Sequence, residues 1–342
     1  MYNYSQGPFS QNKAFLHYDR LSTLLKGKIP PPITVEIDLA DGFCNQSCIH
    51  CFFESYKNEN SIFFPRNKAF PLGLELRQVG VRAIEFSGGG EPTTHPNFKE
   101  IVEDFAFSSN LPLGLVSNGL LLKRVEPVLN LFQWIRISLD AGNIEEYRTI
   151  HCSNSFNFIM KSIANLIKNR TKECKTSIGI GFLVTLSNWK TAQSAVEIAT
   201  DIGVDYIQFR PGSKIKWERL DEIASKILSI TELKPTTKVY HQPEKWRRLS
   251  FGRSVMTCNT SPLVGIICAD GTVPYCCLKR REIKSSLGNV ITSSFKDIWF
   301  QPNRTKKTFS YDSTCCDNPC KHDSYNEAFQ MLSDGIVNPN FL

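Results

Sequence analysis

The chain reads as an α/β protein whose parallel strands roll into a full or partial (β/α)6 barrel, with a small cysteine-rich unit behind it. Three observations predict this. From residue 33 to about 211, short β-like runs alternate with segments of helical period. Glycine-, cysteine- and asparagine-bearing motifs follow the strands one after another, which puts them on the C-terminal rim of such a barrel. Seven of the twelve cysteines lie beyond residue 255, after the alternation has ended.

The elements follow in order. Residues 1–32 form an N-terminal extension, with a helix over about 12–26 that stops at Gly27 and the PPP turn of 30–32. The barrel spans 33–215. Its strands are ITVEIDL (33–39), VRAIEFSG (81–88), PLGLVSN (112–118), WIRISLD (134–140), SIGIGFLVT (177–185) and DYIQFRP (205–211). Helices are expected over 98–107, 158–170 and 188–203, the last capped by Ser187 and closed by Gly203. The run IGIGFLV reads as a strand buried on both faces. Residues 216–254 make a helical connector, 255–325 the cysteine-rich unit and 326–342 a tail.

At 342 residues and 41% hydrophobic content, the chain can bury a sizeable core. It has no run of about 18 apolar residues, and its opening lacks the basic and apolar regions of a signal peptide, so a cytoplasmic protein without a membrane partner is expected. In a reducing compartment clustered thiols hold metal more often than disulfides. The net charge of +7 is modest, and the basic groups Lys245, Arg247, Arg248 and Lys279, Arg280, Arg281 read as solvated surface. They form no evident nucleic-acid face.

The stretch 44-CNQSCIHC-51 follows the first strand. A structural zinc site takes four ligands, usually as two CxxC-like pairs, and this spacing fits that poorly. His50 could be a fourth ligand only with difficulty, because it adjoins Cys51. A cubane [4Fe–4S] cluster takes one cysteine per iron, so three cysteines leave one iron open to substrate or cofactor. The CxxxCxxC loop, with 88-GGGEP-92 after the second strand, resembles the radical S-adenosylmethionine (radical SAM) enzymes. The resemblance implies a partial (β/α)6 TIM-like barrel and a [4Fe–4S] cluster on Cys44, Cys48 and Cys51 whose open iron binds SAM. It implies that Gly89, Gly90 and Glu91 hold the SAM amino group. Asn118 and Ser138 would touch the methionyl or ribose portion, Arg210 a carboxylate or hydroxyl, and His50 would stack near adenine.

In the C-terminal unit Cys258, Gly271 and Cys276 are spaced CX12GX4C, which resembles the opening of SPASM and twitch auxiliary-cluster domains. The ADG turn and the TVPYC run would form a hairpin that brings Cys258 and Cys276 together. Cys316 (or Cys315) and Cys320 would complete one auxiliary [4Fe–4S] cluster. Cys268, Cys277 and Cys315 read either as small buried residues or as part of a second cluster, and zinc is the alternative metal.

The resemblance implies an enzyme that cleaves SAM reductively to a 5′-deoxyadenosyl radical and abstracts a substrate hydrogen atom, with the auxiliary cluster carrying an electron. Dehydrogenation is one outcome. Epimerisation is the other, with Cys152 or a C-terminal cysteine as the hydrogen donor. The expected substrate is a sugar- or aminoglycoside-like small molecule or a peptide, and only about 30 residues before the first strand lean towards the small molecule. The reductant would be a flavodoxin or ferredoxin. RNA modification or cofactor biosynthesis on the same fold is a further reading, and a zinc or nucleic-acid binding module is the reading from another class.

Overall fold

The computed structural model describes residues 9, 11–51, 61–212, 218–232, 236–280, 282–312, 314, 316 and 320–335. Its strands are β1 (Thr34–Ile37), β2 (Ala40–Asp41), β3 (Ile62–Phe63), β4 (Ala83–Phe86), β5 (Leu113–Ser117), β6 (Phe132–Ser138), β7 (Ser177–Val184), β8 (Tyr206–Pro211), β9 (Lys238–Tyr240), β10 (Val264–Ile267), β11 (Thr272–Pro274) and β12 (Ser286–Asn289). Eight of them form one parallel sheet in the order β10-β1-β4-β5-β6-β7-β8-β9, an open, partial barrel.

All six expected strands are present, and the sheet gains one strand at each edge. β9 lies in the stretch expected to be a connector, and β10 in the cysteine-rich unit. Both are short, and neither has the period-two pattern that marks a half-buried strand. The consequence is structural: β10 pairs with β1 from Thr34↔Val264 to Ile37↔Ile267, so the C-terminal unit supplies a strand of the barrel itself. The expected hairpin also differs. The turn forms, with Gly271 at φ 83° and its N–H bonded to the Cys268 carbonyl at 2.8 Å. β11 nevertheless pairs antiparallel with β12, while β10 forms the edge of the large sheet beside β1.

The strands alternate sharply. Val35 and Ile37, Ile84 and Phe86, Ile135 and Ile137, Ile178, Ile180 and Phe182, and Ile207 and Phe209 are buried in the core shared with the surrounding helices. The intervening positions hold Glu36, Glu85, Arg136, Gly179, Gly181, Gln208 and Arg210. The run IGIGFLV is buried on both faces as expected, Leu183 alone being half-buried, with apolar side chains towards the helices and glycines towards the barrel interior. Helix Phe156–Lys168 meets the core through Phe156, Ile159, Ile163 and Leu166, a 3.6-period stripe. The helix expected to be capped by Ser187 begins at Ala192 after a 3-10 turn. Asn188 does the anchoring: its Oδ1 accepts from the Thr185 N–H at 2.7 Å, and its Nδ2 donates to the Asp140 carbonyl at 2.8 Å.

The basic groups read as surface are partly interior. Arg248 is 1% exposed and bonded to Glu327, and Arg280 is 8% exposed. Arg280 Nη1 donates to Asp38 Oδ1 at 2.6 Å, Nη2 donates to Glu36, and Lys321 donates to Glu36 from the other side. Charge runs reach the surface by default, but here carboxylates on and just after β1 draw these cations inward. Arg281 lies outside the described residues. Among the described residues no helix is long and apolar enough to cross a membrane.

Candidate active site

The cysteine loop leaves the C-terminal end of β1. β2 and β3 pair at its neck, Ala40↔Phe63 and Asp41↔Ile62, so the loop departs and returns at one place on the rim. It then interlocks with the glycine loop after β4. The Glu91 N–H donates to the Phe43 carbonyl at 2.9 Å, and the Gly42 N–H to the Gly89 carbonyl at 3.3 Å. A Cβ at position 90 would stand 2.2 Å from the Phe43 oxygen, so only glycine permits this approach. Gly88 and Gly89 take φ of 60° and 61°. At position 88 the Arg280 guanidinium fills the space of the missing side chain.

Glu91 is held by four donors. Its Oε1 accepts from Thr93 N (3.1 Å), Thr93 Oγ1 (2.6 Å) and Ser117 Oγ (2.8 Å), and its Oε2 accepts from Asn118 N (2.7 Å). Burial pushes its carboxyl up and these bonds pull against that. The carboxylate is therefore a clamp between the glycine loop and the end of β5. Asn118 is likewise turned to the cysteine loop, with Nδ2 at 2.6 Å from Asn45 Oδ1 and 3.7 Å from Cys44 Sγ. Ser138 is half-buried at the end of β6, on the rim.

His50 is turned towards Asp140: Nε2 lies 3.6 Å from Asp140 Oδ2. Asp140, at φ 54°, also faces His151 at 3.8 Å and accepts from the Leu183 N–H at 2.6 Å. Burial opposes its ionisation, but the His50 bond and the two histidine charges hold its carboxyl below the usual range. His151 Nδ1 is 3.0 Å from Cys48 Sγ and Nε2 is 2.8 Å from the Leu139 carbonyl, while Tyr147 stacks on its ring at 4.4 Å and bonds Gln46. Sequence reasoning assigned no role to Asp140, Tyr147 or His151. The available signal was Asp140 itself, in the same SLD motif as Ser138.

Cys152 is not brought to the site. It is exposed at the C-terminal end of helix Ile144–His151, in a left-handed conformation, with its thiol turned back towards the Thr149 carbonyl.

In the C-terminal unit Cys258 and Cys276 are buried and Cys277, Cys316 and Cys320 half-buried, while Cys315 lies outside the described residues. Cys277 and Cys258 both bear electrostatically on Cys276 and on Cys320, although among the described residues no three His, Cys, Asp or Glu side chains stand together as a set that could hold a metal ion. Cys277, expected either as a small core residue or in a second cluster, thus acts on both of them. Cys316 lies 3.9 Å from the Tyr311 hydroxyl. Cys268 is turned to the Arg280 carbonyl at 3.5 Å, beside Asp38, as a buried structural thiol. Burial pushes the Cys258 thiol up and the Cys320 thiol to about 12. Buried, mutually close sulfurs ionise only beside a compensating cation, and an iron cluster supplies that charge. The donor set fits such a group.

An open parallel barrel with three cysteines on one rim loop, a backbone cradle beside them and a second group of thiols defines an iron–sulfur enzyme. The family is specific: the radical SAM superfamily model matches residues 42–195 and the SPASM iron–sulfur cluster-binding domain model matches 258–322, so the chain is a radical SAM enzyme with a C-terminal SPASM domain. Its cofactors are accordingly a [4Fe–4S] cluster, SAM and auxiliary iron–sulfur chemistry. It is similar to a probable GTP 3′,8-cyclase of Methanocaldococcus jannaschii, 27% identical over 172 residues that cover 49% of this chain and 56% of that one. It is also similar to the mycofactocin maturase MftC of Mycobacterium tuberculosis, 29% identical over 129 residues, 36% of this chain and 32% of that one. The chain spans about half the length of the cyclase relatives it matches. Among solved structures, Streptococcus suis SuiB bound to S-adenosylmethionine superposes with a TM-score of 0.69 at 14% identity, covering 86% of this chain and 72% of that one. The enzyme anSMEcpe with bound AdoMet superposes at 0.61 and 18%, covering 81% and 83%. These structures share the fold.

Proposed function

We propose that the chain is a radical SAM dehydrogenase in which Cys44, Cys48 and Cys51 hold the SAM-binding cluster and Cys258, Cys276, Cys277 and Cys320 hold one auxiliary cluster. When bound, the first cluster and SAM supply a 5′-deoxyadenosyl radical that takes a hydrogen atom from substrate, and the auxiliary cluster supplies an acceptor for the electron left behind. The backbone of Gly89 and Gly90 gives SAM its close approach, with Ser138 facing it from β6. Glu91 and Asn118 act on SAM indirectly, by fixing the glycine loop and the cysteine loop against each other. His50, Asp140 and His151 brace the loop from the β6 side.

The observation that carries this reading is the pair of thiol groups at one end of a charge-lined barrel, joined through Arg280 and Lys321 to Glu36 and Asp38. The exposure of Cys152 counts against that thiol as the hydrogen donor of an epimerisation. The substrate is a small polar molecule or a peptide side chain, the reductant a flavodoxin or ferredoxin, and the compartment the cytoplasm.

The test is an anaerobic assay after dithionite reduction, following 5′-deoxyadenosine, methionine and deuterium transfer from a panel of labelled substrates. Cys48→Ala should abolish SAM cleavage, and Cys276→Ala should keep it but block product. A Cys276 variant that turned over normally would remove the electron-transfer role.

A further inference from the structure

We propose that the N-terminal end of the barrel, opposite the rim that carries the cysteine loop, holds a second ligand site, for a flat aromatic ring bearing one anionic group, a carboxylate or a phosphate. The site is independent of the radical chemistry at the other end.

It is a half-enclosed cavity of about 1070 Å³. Its place in the fold follows from its lining: Trp134, Ser177, Tyr206 and Lys238 stand at or beside the first residues of β6, β7, β8 and β9, whereas the cysteine loop leaves the far end of β1. A closed barrel fills its interior with packed layers of side chains. Here two cross-strand pairs leave this level hollow. Trp134 is paired with Gly114, and Tyr206 with Gly179. A Cβ at position 114 would stand 2.4 Å from the Trp134 ring, and one at 179 would stand 2.3 Å from the Tyr206 ring. Each ring therefore lies over the glycine beside it, along the wall rather than across the lumen. Trp134 stays half-buried in the lining. Phe9 packs on Tyr206 at 5.3 Å and on Tyr240 at 5.4 Å, and these three rings make a second aromatic wall.

The charges select the anion. Arg136 is the next inward residue after Trp134 on β6, with its guanidinium 5.9 Å from the indole centroid. Its Nη1 donates to the neutral Gln208 Oε1 at 3.1 Å, its Nε is buried without a hydrogen bond, and among the described residues no carboxylate pairs with it. Lys13, Lys175 and Lys238 add three exposed cations to the lining. The two acids there offer little in return. Asp205 is taken by Arg170 at 2.6 Å and by the Ile178 N–H at 2.7 Å. Glu85 faces Glu36 in the β1–β4 register, and burial together with that neighbour pushes its carboxyl up, towards the uncharged form. An ammonium ligand would meet four cations, and an anion is drawn in by them.

Ring and charge belong to one ligand because their partners are neighbours on one strand. Successive inward positions lie about 6.6 Å apart, so a ring stacked on Trp134 carries its substituent towards Arg136. A guanidinium meets carboxylate or phosphate oxygens with paired N–H donors.

The test is calorimetric titration of 2-naphthoate and, separately, 2-naphthyl phosphate into the anaerobically reconstituted enzyme, at fixed ionic strength and with saturating SAM so that the SAM site is filled. One saturable site is expected for at least one of them, and which one binds assigns carboxylate or phosphate. The neutral 2-naphthamide, and the ring-free anions acetate and inorganic phosphate, should each bind at least about tenfold more weakly, because each lacks half of the recognition. Arg136→Gln and Trp134→Leu should each weaken the aromatic anion by about tenfold or more, while Lys161→Gln, on the exposed face of helix Phe156–Lys168, should bind as the parent does. The comparison of naphthoate with naphthamide needs no variant, so it decides the matter even where a variant does not fold. Four results would overturn the proposal: no saturable binding of either aromatic anion, naphthamide or a ring-free anion binding as tightly, affinity unchanged in a folded Arg136 or Trp134 variant, or binding that appears only when SAM is left out, which would place the ligand in the SAM site.

Discussion

Arg280→Met is the sharpest test of how the C-terminal unit is joined to the barrel. The guanidinium is 8% exposed and serves Asp38, 1% exposed, and Glu36 together. Methionine keeps the apolar stem and removes the charge. Breaking a buried ion pair from one side costs about 3–5 kcal/mol, because a carboxylate is left desolvated. The titration of Glu36 gives a similar figure. Burial alone would raise its carboxyl, but Lys321 and Arg280 outweigh this and hold it at about 2, against an ordinary 4.5. A gap of that size corresponds to roughly 3 kcal/mol of stability shared between the two cations. Because the folded value is depressed, this stability is fully present above pH 4.5 and is lost as the pH falls through about 2. In the variant Glu36 should protonate at higher pH, so acid unfolding should begin earlier. Anaerobic urea melts followed by tryptophan fluorescence should show a loss of about 3–5 kcal/mol, a fall in Tm of roughly 5–10 °C. Arg280→Met combined with Asp38→Asn should recover part of it. A loss under about 1 kcal/mol, the range of an exposed pair, would refute the reasoning.

Gly90→Ala should drive its methyl into the Phe43 carbonyl and displace the cysteine loop. We expect lower iron at the first cluster and SAM cleavage down by at least about tenfold with the melting temperature nearly unchanged, since a shift of about 1 Å at a reacting site costs far more in rate than in stability. Normal cleavage would show that the loops are not interlocked as described. Cys277→Ala should lose the auxiliary cluster signal in electron paramagnetic resonance, and Cys316→Ala should keep it; the reverse outcome would restore Cys316 as the ligand. Truncation after residue 254 should give an aggregating product, because β1 would become a sheet edge with Glu36 and Asp38 stripped of Arg280 and Lys321. A soluble truncation that cleaves SAM would contradict this.

Much of the fold was legible because its signals are local. Each of the six expected strands is an apolar run ended by a turn motif, and the three rim cysteines need only their spacing to be recognised. What escaped was set by tertiary contact. The four-residue run Val264–Ile267 carries no mark that distinguishes one arm of a hairpin from a parallel neighbour of β1. Arg280 looked like one member of a solvated basic run until Glu36 and Asp38, far back in the chain, were seen to receive it. Glu91 was singled out as a SAM contact, but the donors that hold it were not legible: they come from Thr93, Ser117 and Asn118, and the last two lie on and just after another strand. Cys277 was ambiguous for the same reason, since adjacency to Cys276 says nothing about which way its thiol turns.

The direction of β10 decides where the second thiol group falls. Parallel to β1, it ends at Ile267 on the rim from which the Cys44–Cys51 loop departs, so the turn at Asp270–Gly271 and the run to Cys276 begin at the catalytic end of the barrel. An antiparallel β10 would have carried Cys276 towards the opposite end. Parallel pairing thus brings two groups of cysteines more than 200 residues apart in sequence towards one end of the barrel. The ion pairs complete the arrangement: Arg280 and Lys321 reach from the C-terminal unit to carboxylates on and just after β1, and Arg280 also fills the space left by Gly88 in the glycine loop. One guanidinium therefore touches the sheet, the SAM-side loop and the auxiliary unit. The spacing between the two thiol groups is fixed by a strand and a buried charge network rather than by a linker.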